Sequence, residues 1–351
     1  MAEFHSINIK EIKQETLDSV SISFNIPKEL KPKYTFIAGQ YIILKMVLDN
    51  KEIKRAYSIC SSPNSGELVI AIKRVKGGEF SVFATTKLTK ETNLEIGIPE
   101  GRFILKTNSK NKKNYIAFAA GSGITPIMSM IKAVLEMEPN STFTLVFGNK
   151  FIKETLFFNE IESLQKQYQN QFFVQYVFSK EQPENSLFGR IDSSITNYIL
   201  KKRAIQFDSV FLCGPEQMIL SVKDTLLAKG FDEKNIHFEL FKSSFKEENE
   251  ASDENTKLDG NTEITVLLDD EITTFSMNQK DSILTAALAK DLDAPYSCQG
   301  GICSSCMAKV TEGKSIMKNN AILSDEEVAE GYILTCEAHP ITKKITIDYD
   351  I

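Results

Sequence analysis

Four cysteines define the chemistry open to this chain. Three sit in one short run, Ser297-Cys298-Gln299-Gly300-Gly301-Ile302-Cys303-Ser304-Ser305-Cys306, and the fourth, Cys336, follows later. The C-x4-C-x2-C spacing with a distant fourth cysteine is the ligand pattern of a plant-type [2Fe–2S] cluster. Two irons need four thiolates converging on one point, so three from a single loop require a sharp backbone reversal. Gly300 and Gly301 allow one, because glycine tolerates positive φ and lets amide groups approach the sulfurs. Two other readings of the same residues stay open: a zinc site, which more often shows paired C-x2-C knuckles, and disulfides, which need an oxidising compartment. No charged, apolar, small-residue leader opens the sequence, so the expectation is a cytoplasmic protein with reduced thiols.

Other residue strings have the chemistry of nucleotide binding. Arg55-Ala56-Tyr57-Ser58 closes one expected strand, and Lys73-Arg74-Val75-Lys76-Gly77-Gly78-Glu79-Phe80-Ser81 follows another. Arg55 can fork onto a phosphate, Tyr57 can lay its ring against a flavin, and Gly78 with Ser81 can donate to a diphosphate. By composition alone, Arg-x-Tyr-Ser reads equally as an ordinary surface strand. Ala120-Gly121-Ser122-Gly123-Ile124-Thr125-Pro126 joins a strand to a helix, with Pro126 where a first turn accepts it; such a turn brings amide groups and the positive helix end to a diphosphate. Cys213-Gly214-Pro215 makes a similar junction on the same expected sheet edge, although Cys213 read by itself is also a small buried hydrophobe. His5, His237 and His339 show no ligand or dyad spacing, and no nucleophile elbow or paired carboxylates stand out.

These motifs need elements to hold them. The 351 residues, 42% apolar and 25% charged, suggest two or three domains and contain no run long enough for a membrane span. Short alternating segments at 20–26, 41–47 and 68–72, separated by turn residues, read as a small antiparallel barrel. Apolar strands at 115–119, 143–147, 173–178 and 210–212, separated by amphipathic stretches such as Ile127, Met130, Ile131, Val134 and Leu135, read as a doubly wound parallel sheet. A charged stretch with almost no branched apolar residues, 246–261, reads as a linker. The domains expected are therefore 1–107, 108–245 and 262–351. Residues 1–245 hold 32 Lys and Arg against 26 Asp and Glu, whereas 246–351 hold 9 against 21. The acidic tail reads as an electron carrier attracted to a basic donor, or simply as a solubilising surface. The small basic excess, without clustered arginine, argues against nucleic acid.

In this order the strings resemble the ferredoxin–NADP reductase superfamily, and the whole chain resembles its three-domain members, the reductase components of multicomponent oxygenases. The resemblance implies a flavin barrel, a nicotinamide sheet and a C-terminal α+β ferredoxin domain of β-grasp type. It places Arg55, Tyr57, Ser58, Gly78 and Ser81 on the flavin, FAD being preferred although kindred reductases use FMN. It places Gly121, Gly123, Thr125, Pro126, Cys213 and Gly214 on the nicotinamide cofactor, with Tyr57, Ser58, Thr125 and Cys213 nearest the reacting rings. Glu239-Leu240-Phe241 resembles the family's terminal acidic-x-aromatic segment, in which the aromatic shields the flavin; here a linker follows it. Phe178-Ser179-Lys180-Glu181-Gln182 resembles the segment that grips the 2′-phosphate in NADP-using members, with Lys180 for arginine and Lys150 as a second cation, so NADPH is favoured over NADH. Both lysines also read as solvated surface residues. The implied activity is electron transfer from NADPH through FAD to the [2Fe–2S] cluster of Cys298, Cys303, Cys306 and Cys336, and on to an oxygenase. A multisubunit di-iron aromatic acyl-CoA epoxidase is the expected acceptor; the alternatives are another oxygenase, hydroxylase or desaturase, or an iron–sulfur sensing module. A monomer is the default.

Overall fold

The computed structural model describes residues 3–48, 51–240, 258, 260–296, 300–301, 304–320 and 322–350. The chain separates into two compact units, one running over Phe4–Phe241 and the other comprising Met1–Glu3 with Lys242–Ile351. Among the described residues no helix is long and apolar enough to cross a membrane.

The first unit opens with β1 (Phe4–Ser6), β2 (Asn8–Thr16), β3 (Ser19–Asn25), β4 (Tyr41–Leu48), β5 (Lys51–Ser58), β6 (Leu68–Lys73), helix α1 (Glu79–Thr86) and β7 (Glu95–Gly97). Its two antiparallel sheets, ordered β1-β7-β4-β5 and β2-β3-β6, are joined by a bridge between Ile59 and Ile70. Alternate residues face inward, as period-two patterning requires: Val20, Ile22 and Phe24 from β3 meet Ile42, Leu44, Ile70 and Ile72 in one core.

A six-stranded parallel sheet follows: β8 (Asn114–Ala120), α2 (Ile124–Met137), β9 (Thr142–Asn149), α3 (Phe158–Gln167), β10 (Phe172–Phe178), β11 (Leu187–Phe188), α4 (Ser193–Arg203), β12 (Ser209–Gly214), α5 (Glu216–Ala228) and β13 (Ile236–Leu240), in the order β11-β10-β9-β8-β12-β13. Its central strands are apolar on both faces because both are covered. Ile116, Phe118, Val146, Val210 and Leu212 point into one core. Tyr115, Ala117, Phe143, Leu145, Phe211 and Cys213 point into the other, shared with Ala38, Cys60, Phe103 and Leu105 of the barrel. That shared core is why barrel and sheet form one unit. Polar clasps reinforce it: the Ser129 hydroxyl donates to the Ser61 carbonyl (2.7 Å) and Lys132 Nζ to the Cys60 carbonyl (3.2 Å).

The second unit contains β14 (Asn261–Leu268), β15 (Glu271–Asn278), α6 (Ile283–Leu288), β16 (Met307–Glu312), β17 (Ser315–Met317), α7 (Asp325–Ala329), β18 (Tyr332–Leu334), β19 (Ala338–Pro340) and β20 (Lys344–Asp348). Five strands form a mixed sheet, β15-β14-β20-β16-β18, in which β14 and β20 run parallel, and β17 pairs with β19. Ile283, Leu284 and Ala287 of α6 pack on Ile264, Val266, Ile345 and Ile347. The fold class is the one the sequence implies: antiparallel barrel, parallel α/β sheet and an α+β ferredoxin-type domain. One boundary shifts, since Asn261, counted with the linker, is the first residue of β14; of that linker only Leu258, Gly260 and Asn261 are described.

The polar stretch between barrel and sheet is not slack. Asn108 N and Asn111 Nδ2 donate to Glu138 Oε1 (2.9 and 2.7 Å), while the Tyr115 and Ser141 hydroxyls donate to Oε2 (3.0 and 2.7 Å). Glu138 is fully buried, so its removal strands four donors. Glu138→Ala is expected to cost about 3 kcal/mol or more in urea denaturation followed by circular dichroism. Glu138→Gln is expected to cost under about 1.5 kcal/mol, because its amide can turn toward the two hydroxyls, which can accept as well as donate.

Candidate functional site

Three strand ends bring the first cluster together. Residues at odd positions on β12 and β13 face the barrel, and the parallel register sets Cys213 beside Glu239 and Phe211 beside His237. From the barrel, Ser58 at the end of β5 reaches the same point, its hydroxyl directed at Glu239 Oε2 at 3.5 Å. Cys213, Ser58 and Glu239 are all buried. The Glu239 carboxyl is pushed up to about 8 by burial, against a smaller downward pull from the Ser58 hydroxyl. Burial, with the Glu239 charge adding to it, also raises the Cys213 thiol. Glu239 was visible in the sequence only as part of a terminal segment; its burial against Ser58 depends on a contact 181 residues apart.

The glycine turn after β8 packs onto the end of β12. A Cβ on Gly123 would lie 2.1 Å from the Cys213 carbonyl oxygen, so only glycine lets β12 and the start of α2 approach this closely. Gly121 has φ +57°, and a Cβ there would meet nothing within 4 Å, leaving the turn's outer side open. No side chain caps α2; the Thr125 hydroxyl donates to the Ser122 carbonyl (3.0 Å) and Pro126 is buried in the first turn. An open turn with uncapped amides at the carboxyl edge of a parallel sheet suits a diphosphate.

Further along that edge, Ser179 N donates to the Asn149 carbonyl (3.0 Å) and Lys180 N to the Lys150 carbonyl (3.2 Å), which sets the two exposed lysines on adjacent strand ends. The neighbouring Glu181 carboxylate accepts from the Ile152 amide and is thereby turned away. Asn149 Nδ2 is buried there without a partner, an orphaned donor that a ribose or phosphate oxygen would satisfy.

On the barrel, Arg55 and Tyr57 share one face of β5, and the Tyr57 ring leans on Phe80 with centroids 5.7 Å apart. Burial pushes the Tyr57 phenol up, so it stays a donor. Ser81 is placed differently from the expectation that its hydroxyl meets a diphosphate. It accepts from the Val75 amide (3.1 Å) and points back to the Gly78 carbonyl, and Gly78 N donates to the Val75 carbonyl (3.0 Å). These bonds close the loop, so what remains for a phosphate is the first turn of α1, which no side chain caps. A Cβ on Gly78 would lie 2.5 Å from Ser81 Oγ.

In the second unit, Cys306 is buried and Cys336 half-buried. Thr335 ties their segments: its amide and hydroxyl both donate to the Cys306 carbonyl, at 3.1 and 2.9 Å. Gly301, with φ +70°, packs where a Cβ would lie 2.9 Å from the Asn319 carbonyl oxygen. Tyr349 is carried into the same apolar cluster as Cys306 and Cys336, a placement that sequence spacing gave no sign of. Two thiols on segments tied by Thr335, with a close-packed glycine at the loop, fit an iron–sulfur centre. Cys298, Cys303 and Phe241 lie outside the described residues.

The Glu239 shift has a sign that solution can check. Its folded value lies above the unfolded one, so between about 4.5 and 8 the native state binds the extra proton. Stability of the Phe4–Phe241 unit is therefore expected to fall as pH rises through that window and to level off above it. In Glu239→Gln the melting temperature is expected to fall less between pH 6 and 9; an unchanged slope would remove the buried carboxyl as its cause.

Comparison with known proteins agrees with this arrangement. Residues 6–105 match the model of the oxidoreductase FAD-binding domain, 118–224 that of the oxidoreductase NAD-binding domain, and 266–340 that of the 2Fe-2S iron-sulfur cluster binding domain. The chain is 36% identical to a subunit of the 1,2-phenylacetyl-CoA epoxidase of Escherichia coli K12, over 100% of this chain and 99% of that one. It is 31% identical to the ferredoxin reductase component of 3-ketosteroid-9-alpha-monooxygenase from Rhodococcus rhodochrous, over 98% and 96%. Its fold is similar to that of phthalate dioxygenase reductase, with a TM-score of 0.63 at 23% identity over 98% of each chain. The chain thus belongs to the ferredoxin–NADP reductase-type family of oxygenase reductase components, electron-transfer oxidoreductases with FAD-binding, NAD-binding and 2Fe-2S domains.

Proposed function

We propose that this reductase draws on NADPH and serves an oxygenase of the phenylacetyl-CoA epoxidase type, a multisubunit di-iron partner. Full-length identity of 36% to a subunit of that enzyme supports the acceptor, and Lys150 and Lys180 at adjacent strand ends support the 2′-phosphate. The observation that carries the reading is the meeting of Ser58, Glu239 and Cys213, where the end of a flavin-type barrel strand touches the carboxyl edge of a nucleotide-type sheet.

A bound flavin takes up the electron pair of a hydride and an iron–sulfur centre takes single electrons, which is the chemistry these groups supply. The chain's own residues do the placing. Arg55 and the first turn of α1 would hold the flavin phosphates, and Tyr57 and Ser58 its ring and side chain. Gly121, Gly123, Thr125 and Pro126 would seat the nicotinamide diphosphate, with Cys213 and Gly214 toward its nicotinamide end. Glu239, kept protonated at neutral pH, holds a proton beside the Ser58 hydroxyl and places no fixed negative charge in a space from which water is excluded. Cys213, its thiol raised by burial, stays uncharged and acts as packing against a ring rather than as a nucleophile. Cys306 and Cys336, with Cys298 and Cys303, would hold the cluster. A second reading, the reductase of a different oxygenase, is favoured by the 31% identity to the ketosteroid monooxygenase component.

Three measurements test this. Lys180→Ala is expected to raise KM for NADPH about tenfold, the worth of one exposed charge-assisted contact, while leaving KM for NADH and both kcat values nearly unchanged; equal effects on both would remove the 2′-phosphate role. Cys336→Ser is expected to lose the cluster's visible absorption and cytochrome c reduction while NADPH still bleaches the flavin. Mixed with the oxygenase subunits of a phenylacetyl-CoA epoxidase, the protein is expected to support NADPH-dependent epoxide formation; support for ketosteroid hydroxylation alone would transfer the assignment to the second reading.

A further inference from the structure

Arg55 does not wait for a phosphate in open solvent. Its Nη2 lies 3.7 Å from Glu79 Oε2, and its Nη1 donates to the Lys54 carbonyl at 2.8 Å. Glu79 is the first residue of α1 and the acidic group of its first turn. Two contacts bring the segments together: Arg55 and Tyr57 share a strand face, and they meet the consecutive helix residues Glu79 and Phe80. A carboxylate thus lies beside the two features that would draw a flavin phosphate to this loop, one arm of the guanidinium and the positive end of a helix that no side chain caps. Both side chains are partly exposed, at 37% and 45%, so the ion pair itself is weak and open to displacement.

We propose that Glu79 is an internal competitor of the flavin phosphates, a positioning residue that holds Arg55 and caps α1 electrostatically when flavin is absent and sets the affinity by opposing the incoming charge. The inference rests on the assignment of Arg55 and the α1 loop to the flavin phosphates. When a diphosphate enters, Arg55 must be shared or given up by Glu79, and like charges are brought together within a few ångströms. Flavin binding is then weaker than the loop could support, and flavin-free protein is held in a binding-ready form.

The test is a titration of flavin-free protein with flavin, followed by fluorescence quenching. Glu79→Gln, which keeps shape and removes charge, is expected to bind FAD about tenfold more tightly at about 0.05 M salt, a gain that shrinks at about 0.5 M as screening shortens the reach of charge. Riboflavin, which has no phosphate, should bind both proteins equally. Glu67→Gln, which removes a carboxylate paired with Lys10 elsewhere on the barrel, should leave FAD affinity unchanged. In an Arg55→Ala background the gain from Glu79→Gln should be smaller, as a shared partner requires. An FAD affinity within twofold of the unsubstituted protein, or an equal gain for riboflavin, would overturn the inference while leaving the cofactor assignment intact. Unsubstituted protein that binds no flavin would overturn both.

Discussion

Close approach of two backbones decides most of what this molecule can do. Gly123 lets the turn after β8 lie against the carbonyl of Cys213, and the parallel register then carries Glu239 alongside. Any side chain at Gly123 would hold the turn and the end of β12 apart. With the two ends in contact, the barrel's Ser58 reaches the sheet edge and water is excluded from the carboxyl group. The raised Glu239 follows from geometry, since a carboxylic acid that loses its hydration and gains only a hydroxyl neighbour keeps its proton.

The shared core explains how that geometry stays fixed. Phe103 of the barrel meets Phe211 of β12 edge-on, with centroids 5.8 Å apart, and Ser129 and Lys132 of α2 bond to the carbonyls of Ser61 and Cys60. Glu138 fastens the connecting stretch with two donors from residues 108 and 111. Barrel and sheet thereby behave as a single packed body, in which the strand ends that frame the cluster have little freedom to drift.

Much of this was readable in the residues themselves. Alternation in Val20–Ile26 and the apolar runs around Phe118 and Val146 mark strands because burial on one or both faces leaves a period that a sequence displays. The cysteine spacing is a local signature too, and glycine and proline mark the Gly121 to Pro126 junction between β8 and α2. What stayed hidden depends on contacts between distant segments. Ser81 reads as a phosphate donor until its hydroxyl is seen closing the Val75–Gly78 turn. Tyr349 reads as an unremarked C-terminal aromatic until β20 carries it into the core around Cys306. The Asn108–Asn111 stretch falls at the expected division between the first two domains, yet the Asn108 amide and the Asn111 side chain are both bonded to Glu138.

Thr335 has a quieter role. By donating twice to the Cys306 carbonyl, it ties the backbone just before β16 to the backbone just after β18, so the two segments that carry Cys306 and Cys336 are held together by the chain itself. In the proposed cluster, less configurational freedom would then remain to be surrendered at this pair, and uptake of iron and sulfide would draw on a chelate effect supplied by the polypeptide.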